Sequence, residues 1–411
     1  MSTQNILKEA PAAPSLSPLH SLLATMRSGD LGIWPVLVGL VLLAVIFQSL
    51  NANFLTSGNL VNLMVQGAVY MLLAMGMVFV LLIGEVDLSI GFIGGVAGVI
   101  TATMIYGADA SPWYLALLCG CLAGLAIGVF HGLVITMVRL PSFVVTLAGL
   151  LAWNGVMLII LGNGGTVPIQ DPMIVGLANG LISAEAGWVI AAVAVCIYAV
   201  DAWLTDRRRR RHGNVACSPT STLARILLVA ALAAIIMALC SVNRGNFAPV
   251  RGVPVIILIV VAFVSFWTVL LNRTALGTYV YAIGGNAEAA RRAGIAVSRM
   301  RVMIFGISGF MGAVAGIIYA SRLRSVSTNL DGGTLVLYSI AAAVIGGTSL
   351  FGGRGKAIHA VLGGLVIAMI DNGMGLLGLS AAIRYVVTGI VLLIAVSVDA
   401  FARRGRAAAG I

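Results

Sequence analysis

The sequence predicts an all-α protein, a polytopic bundle of membrane helices, and three observations carry that prediction. Apolar side chains make up 60% of the 411 residues and charged ones only 9%, against roughly 25% charged in a soluble globular chain. The apolar residues gather into about twelve runs, each near the ~20 residues that a helix needs to cross a bilayer. Mean hydropathy is +1.09, and the 24 Lys and Arg residues fall mainly in short segments between the runs. A net charge of +11 arranged in this way reads as membrane orientation, not as a nucleic-acid patch.

Residues 1–32 are rich in Pro, Ser and Ala and lack the short apolar core and cleavage site of a signal peptide, so they are expected to form a cytoplasmic tail. A membrane domain over 33–402 follows, and 403–411 form a second cytoplasmic tail. The runs fall at about 33–50, 60–83, 90–106, 112–137, 142–161, 186–204, 224–241, 253–271, 303–320, 334–351, 356–376 and 382–401. With the amino terminus inside and every run crossing, 19 of the 24 basic residues are cytoplasmic, and only Arg244, Arg251, Arg322, Arg324 and Arg384 are left outside. The Arg207 to Arg211 block then anchors a span end on anionic lipid. The short, glycine-interrupted runs near 90 and 345 are candidates for re-entrant segments.

Several polar positions interrupt the runs. In the second, Asn62 and Gln66 lie one turn apart and either line a wet pathway or bond across helices. Gly84-Glu85-Val86-Asp87-Leu88-Ser89-Ile90-Gly91 places two carboxylates and a hydroxyl between apolar runs. In an extended turn both acids could accept backbone N–H bonds and cap the next span; a hinge is the second reading, and no partner suggests catalysis. Gly120, Gly124, Gly128 and Gly132 recur every four residues, a smooth stripe for close helix contact. Arg139-Leu140-Pro141-Ser142 reads as a helix start after an inside-positive residue. Cys119, Cys121, Cys196, Cys217 and Cys240 read as small core residues, and the scattered His131, His212 and His359 suggest no metal site.

Asn286 to Ile295, too short to cross a bilayer, has the marks of a brief capped helix. Asn286 is the N-cap, Glu288 sits in the first turn, and Gly294 supplies the left-handed stop. Ala289, Ala290 and Ala293 would form one small-residue face, with Arg291 and Arg292 to its sides: a docking knob or a solvated surface helix. The stretch from Ile345 to Lys356 contains Gly346, Gly347, Ser349, Gly352 and Gly353 but is no phosphate loop, because Leu350 and Ala357 stand where Gly and Ser or Thr are required. It is also no nucleophile elbow, since Phe351 replaces the second glycine. What remains is a flexible break at a span end. Asp371 and Asn372 in the eleventh run carry the same ambiguity as Gln66.

Taken in order, G-E-V-D-L-S-I-G, P-S-F-V-V-T-L-A-G, Y-A-I-G-G-N-A-E-A-A-R-R-A-G-I, V-I-G-G-T-S-L-F-G-G and D-N-G-M resemble the sugar-importing ABC permeases of the ribose/xylose/arabinose group, from about residue 55 to the carboxyl terminus. The extra segment from about 186 to 250 resembles the xylose branch, although Gly84 stands where that branch usually has Ala and Arg354 interrupts the glycine-rich loop. The resemblance implies a permease working as a pair in the bacterial inner membrane. It also implies a cytoplasmic ATPase that holds ATP and Mg, a periplasmic sugar-binding protein, and a monosaccharide substrate such as D-xylose. By the same resemblance Glu288, Ala289, Ala290 and Gly294 belong to the helix that couples permease to ATPase, over 286–294 with Asn286 and Arg291. This chain has no Walker motif, so ATP is expected to be hydrolysed elsewhere, and with no convergent acid, base or metal cluster the chain is expected not to be an enzyme. An ion-coupled transporter using Asp371 or Glu85, and a membrane-embedded sugar transferase, are the alternatives.

Overall fold

A computed structural model of the chain describes residues 33–211, 219–245, 249–328 and 331–391, with 393 and 397. The tails expected over 1–32 and 403–411, and Cys217 and His212 of the Arg-rich loop, lie outside the described residues. The architecture is helical. In chain order the helices are α1 (Trp34–Leu50), α2 (Ser57–Leu82), α3 (Ile90–Met104), α4 (Trp113–Met137), α5 (Ser142–Leu161), α6 (Pro172–Asn179), α7 (Ala184–Arg211) and α8 (Pro219–Ser241). They continue as α9 (Val255–Arg273), α10 (Ala275–Gly285), α11 (Ala287–Arg292), α12 (Val297–Leu323), α13 (Gly332–Ile345), α14 (Ala357–Leu376) and α15 (Ala381–Val391).

Each apolar run read from the sequence falls on one of these helices. Eight of them (α2, α4, α5, α7, α8, α9, α12 and α14) are long and apolar enough to cross a membrane, whereas α1, α3, α13 and α15 are shorter. Helices dominate because a chain in hydrocarbon must satisfy its own N–H and C=O groups. Among the described residues the departures from all-helix are two small antiparallel ribbons, β1 (Thr166–Pro168) with β4 (Ser325–Ser327) and β2 (Leu181–Ile182) with β3 (Val253–Pro254). Both lie at one end of the bundle, where the chain leaves α5, α6 and α12 and enters α9.

The core is built around α2, whose most apolar window is 89% buried, and it includes α12 and α14 at 67% and 72%. By contrast α7 and α8, the extra pair, are 6% and 11% buried, so nearly all of their apolar surface is left facing outward. The α4 glycine stripe packs on α12 as the four-residue spacing predicts: a Cβ on Gly128 would stand 2.1 Å from the Phe305 carbonyl oxygen. The cysteines do not follow the core reading, since Cys119 and Cys196 are exposed on their helices and Cys240 is the buried one.

Two of the short helices begin inside the bundle. The 27 residues of α12 extend ~40 Å at ~1.5 Å per residue, and a Cβ on Gly312, close to its middle, would lie 2.9 Å from the Ile90 carbonyl that opens α3. Gly91 in turn packs on the start of α13, where a Cβ would meet the Gly332 carbonyl at 2.2 Å. The first turns of α3 and α13 therefore abut near half height. The segment near residue 90 is therefore not re-entrant as expected: it leaves the end opposite the ribbons as an irregular turn and continues as α3 to the ribbon end, a span broken at half height. Near 345 the interior end is the start of α13, and its glycine-rich exit lies at the end of the bundle opposite the ribbons.

Candidate functional site

At the end opposite the ribbons, Asn286 forms the expected cap, its side-chain oxygen accepting from the amides of Glu288 and Ala289 at 3.0 and 2.9 Å. Gly294 has φ +86°. The Gly294 amide donates to the Arg291 carbonyl and the Ile295 amide to that of Ala290, the paired bonds of a Schellman stop. Glu288 pairs with Arg291 at 2.8 Å and Arg292 at 3.4 Å. The alanine face needs correction. Ala289 and Ala293 are exposed, but Ala290 is only 4% exposed and joins the hydrophobic core. A six-residue helix lying on the bundle must turn one side inward, and Ala290 is on that side.

The segments flanking α11 reach the two other glycine-rich motifs. A Cβ on Gly284 would sit 1.8 Å from the Leu82 carbonyl oxygen and 2.4 Å from the Gly353 amide nitrogen, so three backbones meet there and only glycine fits. The Gly353 amide donates to that Leu82 carbonyl at 2.9 Å, and Tyr281 donates its hydroxyl to the Gly355 carbonyl at 2.7 Å. Gly84, Gly347, Gly352 and Gly353 all have positive φ. Ser349 holds the loop in shape, its amide donating to the Arg354 carbonyl and its hydroxyl accepting from the Phe351 amide at 3.2 Å. On the other side of α11, Arg301 near the start of α12 pairs with Glu85 at 2.9 Å. Glu85 is thus an ion-pair partner and not a cap, a correction that the sequence concealed because the partner is 216 positions away. The Arg301 Nε is buried without a partner among the described residues.

Asp87 accepts a backbone N–H as the turn reading expects, but it does not cap α3, whose N-cap Ser89 has no side-chain cap bond. Asp87 is wholly buried and accepts from the Ser89 amide at 2.9 Å, the Ser89 hydroxyl at 2.6 Å and the Ser308 hydroxyl of α12 at 2.7 Å. Ser89 also stands 3.2 Å from His131 Nδ1, and Trp153 Nε1 donates to His131 Nε2 at 2.9 Å. An indole N–H can only donate, so His131 Nε2 accepts and the ring proton lies on Nδ1, facing Ser89. Donation then runs one way, from Trp153 through His131 and Ser89 to Asp87, tying α5 and α4 to the turn while Ser308 ties α12. His131 had no signal in the sequence beyond being a lone histidine on an apolar helix. Ser142 and Thr146 of α5 add bonds to the Val86 amide and carbonyl, each at 3.3 Å.

A second polar group lies between this turn and the ribbon end. Gln66 and Tyr70 of α2 donate to Asp371 Oδ2 at 2.8 and 3.0 Å, and Asn372 donates to Gln66 Oε1 at 3.4 Å. Asn59, missed from sequence, donates to Asn372 at 2.9 Å. Asn62 is exposed and takes no part in these bonds. Asp371 borders a cavity of about 170 Å³ that is open on one side, smaller than the roughly 300–1,000 Å³ of drug-sized ligand sites. Ten residues line it; four are tyrosines (Tyr70, Tyr319, Tyr338 and Tyr385), and only Leu335 and Ala381 are aliphatic. Asp331, at the N-cap of α13, accepts from the Thr334 amide at 3.0 Å and the Tyr385 hydroxyl at 2.8 Å. The cavity therefore extends inward to the half-height start of α13.

Helices broken at half height, a polar cavity beside them and a small capped helix at one end define a polytopic helical membrane transporter rather than a membrane enzyme. Comparison with known proteins gives the class a name. The chain belongs to the family described as "Branched-chain amino acid transport system / permease component", whose pattern matches residues 59–396. It is similar to the xylose transport system permease protein of Escherichia coli strain K12, 33% identical over 403 residues, covering 97% of this chain and 99% of that one. It is 35% identical over 364 residues to the ribose import permease protein of Bacillus subtilis strain 168, covering 88% and 91%. A probable ABC transporter permease protein of Sinorhizobium fredii is 30% identical over 407 residues, covering 99% of each. No solved structure matches the chain.

Proposed function

We propose that this chain is the permease subunit of an ATP-driven importer carrying a monosaccharide, D-xylose or a related aldose, across a bacterial inner membrane. The single observation that carries the reading is the similarity over almost the whole length to a xylose permease, extra α7–α8 pair included. The family description names branched-chain amino acids, but four tyrosine hydroxyls, Thr334, two carboxylates and a guanidinium give the cavity more hydrogen-bonding groups than such an amino acid can use. In this reading two copies pair in the membrane, a separate cytoplasmic ATPase binds ATP and Mg, and a periplasmic sugar-binding protein delivers the sugar to the ribbon end. The positive-inside distribution of arginines supports a cytoplasmic position for α11.

Closure of the ATPases would push α11, and its two flanks would carry the motion. On one flank Gly284 bears on Leu82 and Gly353; on the other, Arg301 and Ser308 of α12 hold Glu85 and Asp87. Both routes end on residues 82–89, which makes that turn the hinge at the base of α3. The sugar undergoes no covalent change. An ion-coupled mechanism through Asp371 is less well supported, because a relative 30% identical over 99% of each chain is named a probable ABC transporter permease.

The test is reconstitution of the chain in proteoliposomes with its cognate ATPase and sugar-binding protein. The expected result is ATP-dependent uptake of labelled D-xylose, lost in Ala289→Trp while the complex stays assembled in the membrane. Uptake driven by an ion gradient with no ATPase present would overturn the proposal.

A further inference from the structure

We infer that the tyrosine-lined cavity is a binding site for a neutral polyhydroxylated sugar, a stopping point inside the permease with Asp371 and Arg384 as its hydrogen-bonding anchor. The inference rests on the function proposed above and goes beyond it, since delivery by a separate binding protein does not require the permease to recognise the sugar itself.

The two oxygens of Asp371 are treated differently. Oδ2 is filled by Gln66 and Tyr70. Among the described residues Oδ1 meets only Arg384 Nη1, at 3.8 Å, beyond hydrogen-bond reach. Both side chains are partly accessible, Asp371 at 15% and Arg384 at 33%, and both line the cavity. The guanidinium is anchored from behind, its Nε donating to the Leu379 carbonyl at 3.1 Å, while Gln66 and Tyr70 fix the carboxylate. A held acceptor and a held donor too far apart to bond each other are complementary to a hydroxyl, which accepts from Arg384 while donating to Asp371. Vicinal hydroxyls extend this to a two-point grip that water cannot match in direction.

The remaining lining fits the same class. Tyr70 and Tyr338 stand edge to face with centroids 5.2 Å apart, offering rigid surface to the C–H face of a pyranose and hydroxyls to its rim. An amino-acid zwitterion could also engage an acid and a base and lay its side chain on the tyrosine rings, but it would leave unused the tyrosine hydroxyls and Thr334, which the hydroxyl rim of a sugar can meet. Sugar and amino acid are therefore separable by experiment.

The experiment uses the permease–ATPase complex in nanodiscs without the binding protein, and equilibrium binding of tritiated D-xylose challenged with unlabelled D-xylose, D-ribose, L-arabinose or L-leucine. Saturable binding displaced by the pentoses and not by leucine is expected. Asp371→Asn should weaken it roughly tenfold to a hundredfold, since hydrogen bonds to a charged group are lost. Leu335→Trp, which fills the cavity without touching the polar anchor, should abolish it, with gel-filtration profile and melting temperature reporting that each variant is folded. The inference is overturned if the complex imports sugar with ATP and binding protein yet binds none by itself, or if leucine displaces the label. It is equally overturned if both variants transport with wild-type KM. Failure of ATP-driven uptake beside saturable, Asp371-dependent sugar binding would count against the importer and leave the cavity assignment standing.

Discussion

Replacing Asp87 by Ala tests whether one buried carboxylate holds the centre of the bundle together. Asp87 is fully buried and accepts three hydrogen bonds, from the Ser89 amide, the Ser89 hydroxyl and the Ser308 hydroxyl. Alanine removes the acceptor of all three; Ser308 can turn to the carbonyl one helical turn back, so the cost falls on the Ser89 amide and hydroxyl, about 1–3 kcal/mol each. Relief of the carboxylate's own desolvation offsets part of this, so a net loss of about 3–5 kcal/mol is expected, the scale on which breaking a buried charged network destabilises a fold. Asparagine has the same shape and keeps an oxygen for Ser89. Its amide can donate to Ser308 if that hydroxyl turns toward the carbonyl one helical turn back, so Asp87→Asn should lose only about 1 kcal/mol.

The comparison between the two variants is what decides. Thermal unfolding of the purified protein in nanodiscs, followed by tryptophan fluorescence, should order them wild type, Asn, Ala, with the larger step between Asn and Ala. Ser308→Ala should fall near Asn. His131→Phe combined with Asp87→Asn should be non-additive by about 0.5–3 kcal/mol, because the two share Ser89. Equal midpoints for the Ala and Asn variants, or additivity of the double variant, would refute the idea that donation converges on this carboxylate.

Three further outcomes follow from the end of the bundle that carries α11. Ala290→Trp should lower the unfolding midpoint, since overpacking a 4%-exposed site costs about 1–3 kcal/mol, whereas Ala289→Trp on the exposed side should keep the midpoint and lose ATP-driven uptake. Gly284→Ala should be poorly assembled on a membrane-insertion and protease-resistance assay, because its Cβ would stand 1.8 Å from the Leu82 oxygen. Reversing the Glu85–Arg301 pair by E85R with R301E should restore most of the uptake that either single change removes; single changes without effect on uptake would show that the pair does not transmit motion.

The sequence reveals what hydrocarbon forces and hides what folding in depth decides. A run of some twenty apolar residues has no alternative to helix in a bilayer, so the helices were readable, and Asn286 and Gly294 marked the ends of α11 because capping chemistry is local. Depth is not local. Nothing in Gly84 to Gly91 says that its carboxyl-terminal half descends to the middle of α12, so Glu85 and Asp87 read alike as caps, whereas one pairs with Arg301 and the other gathers hydroxyls from Ser89 of the turn and Ser308 of α12. Which side of a six-residue helix faces inward is equally invisible: alanine suits both environments, so Ala289 and Ala290 could not be told apart. His131 and Arg384 gain their meaning only from partners on other helices.

The arrangement also explains why polar residues this deep can be tolerated. An intramembrane carboxylate is costly unless its lone pairs are filled or it meets water. Asp87 follows the first course, with three donors and no exposure; Asp371 follows the second in part, with Oδ2 filled and Oδ1 turned toward an open cavity. A residue of the first kind serves position, and a residue of the second kind is available to a ligand. Between them the first turns of α3 and α13 touch through Gly91 and Gly332. A displacement of the 82–89 turn therefore reaches the start of α13, where Asp331 and Thr334 border the cavity. In the proposed importer the distance from lever to sugar is thus bridged by two helix starts in direct contact, and widening that contact with Gly91→Ala should impair uptake more than sugar binding. Equal loss of both in a variant that still assembles would mean that the two sites move independently.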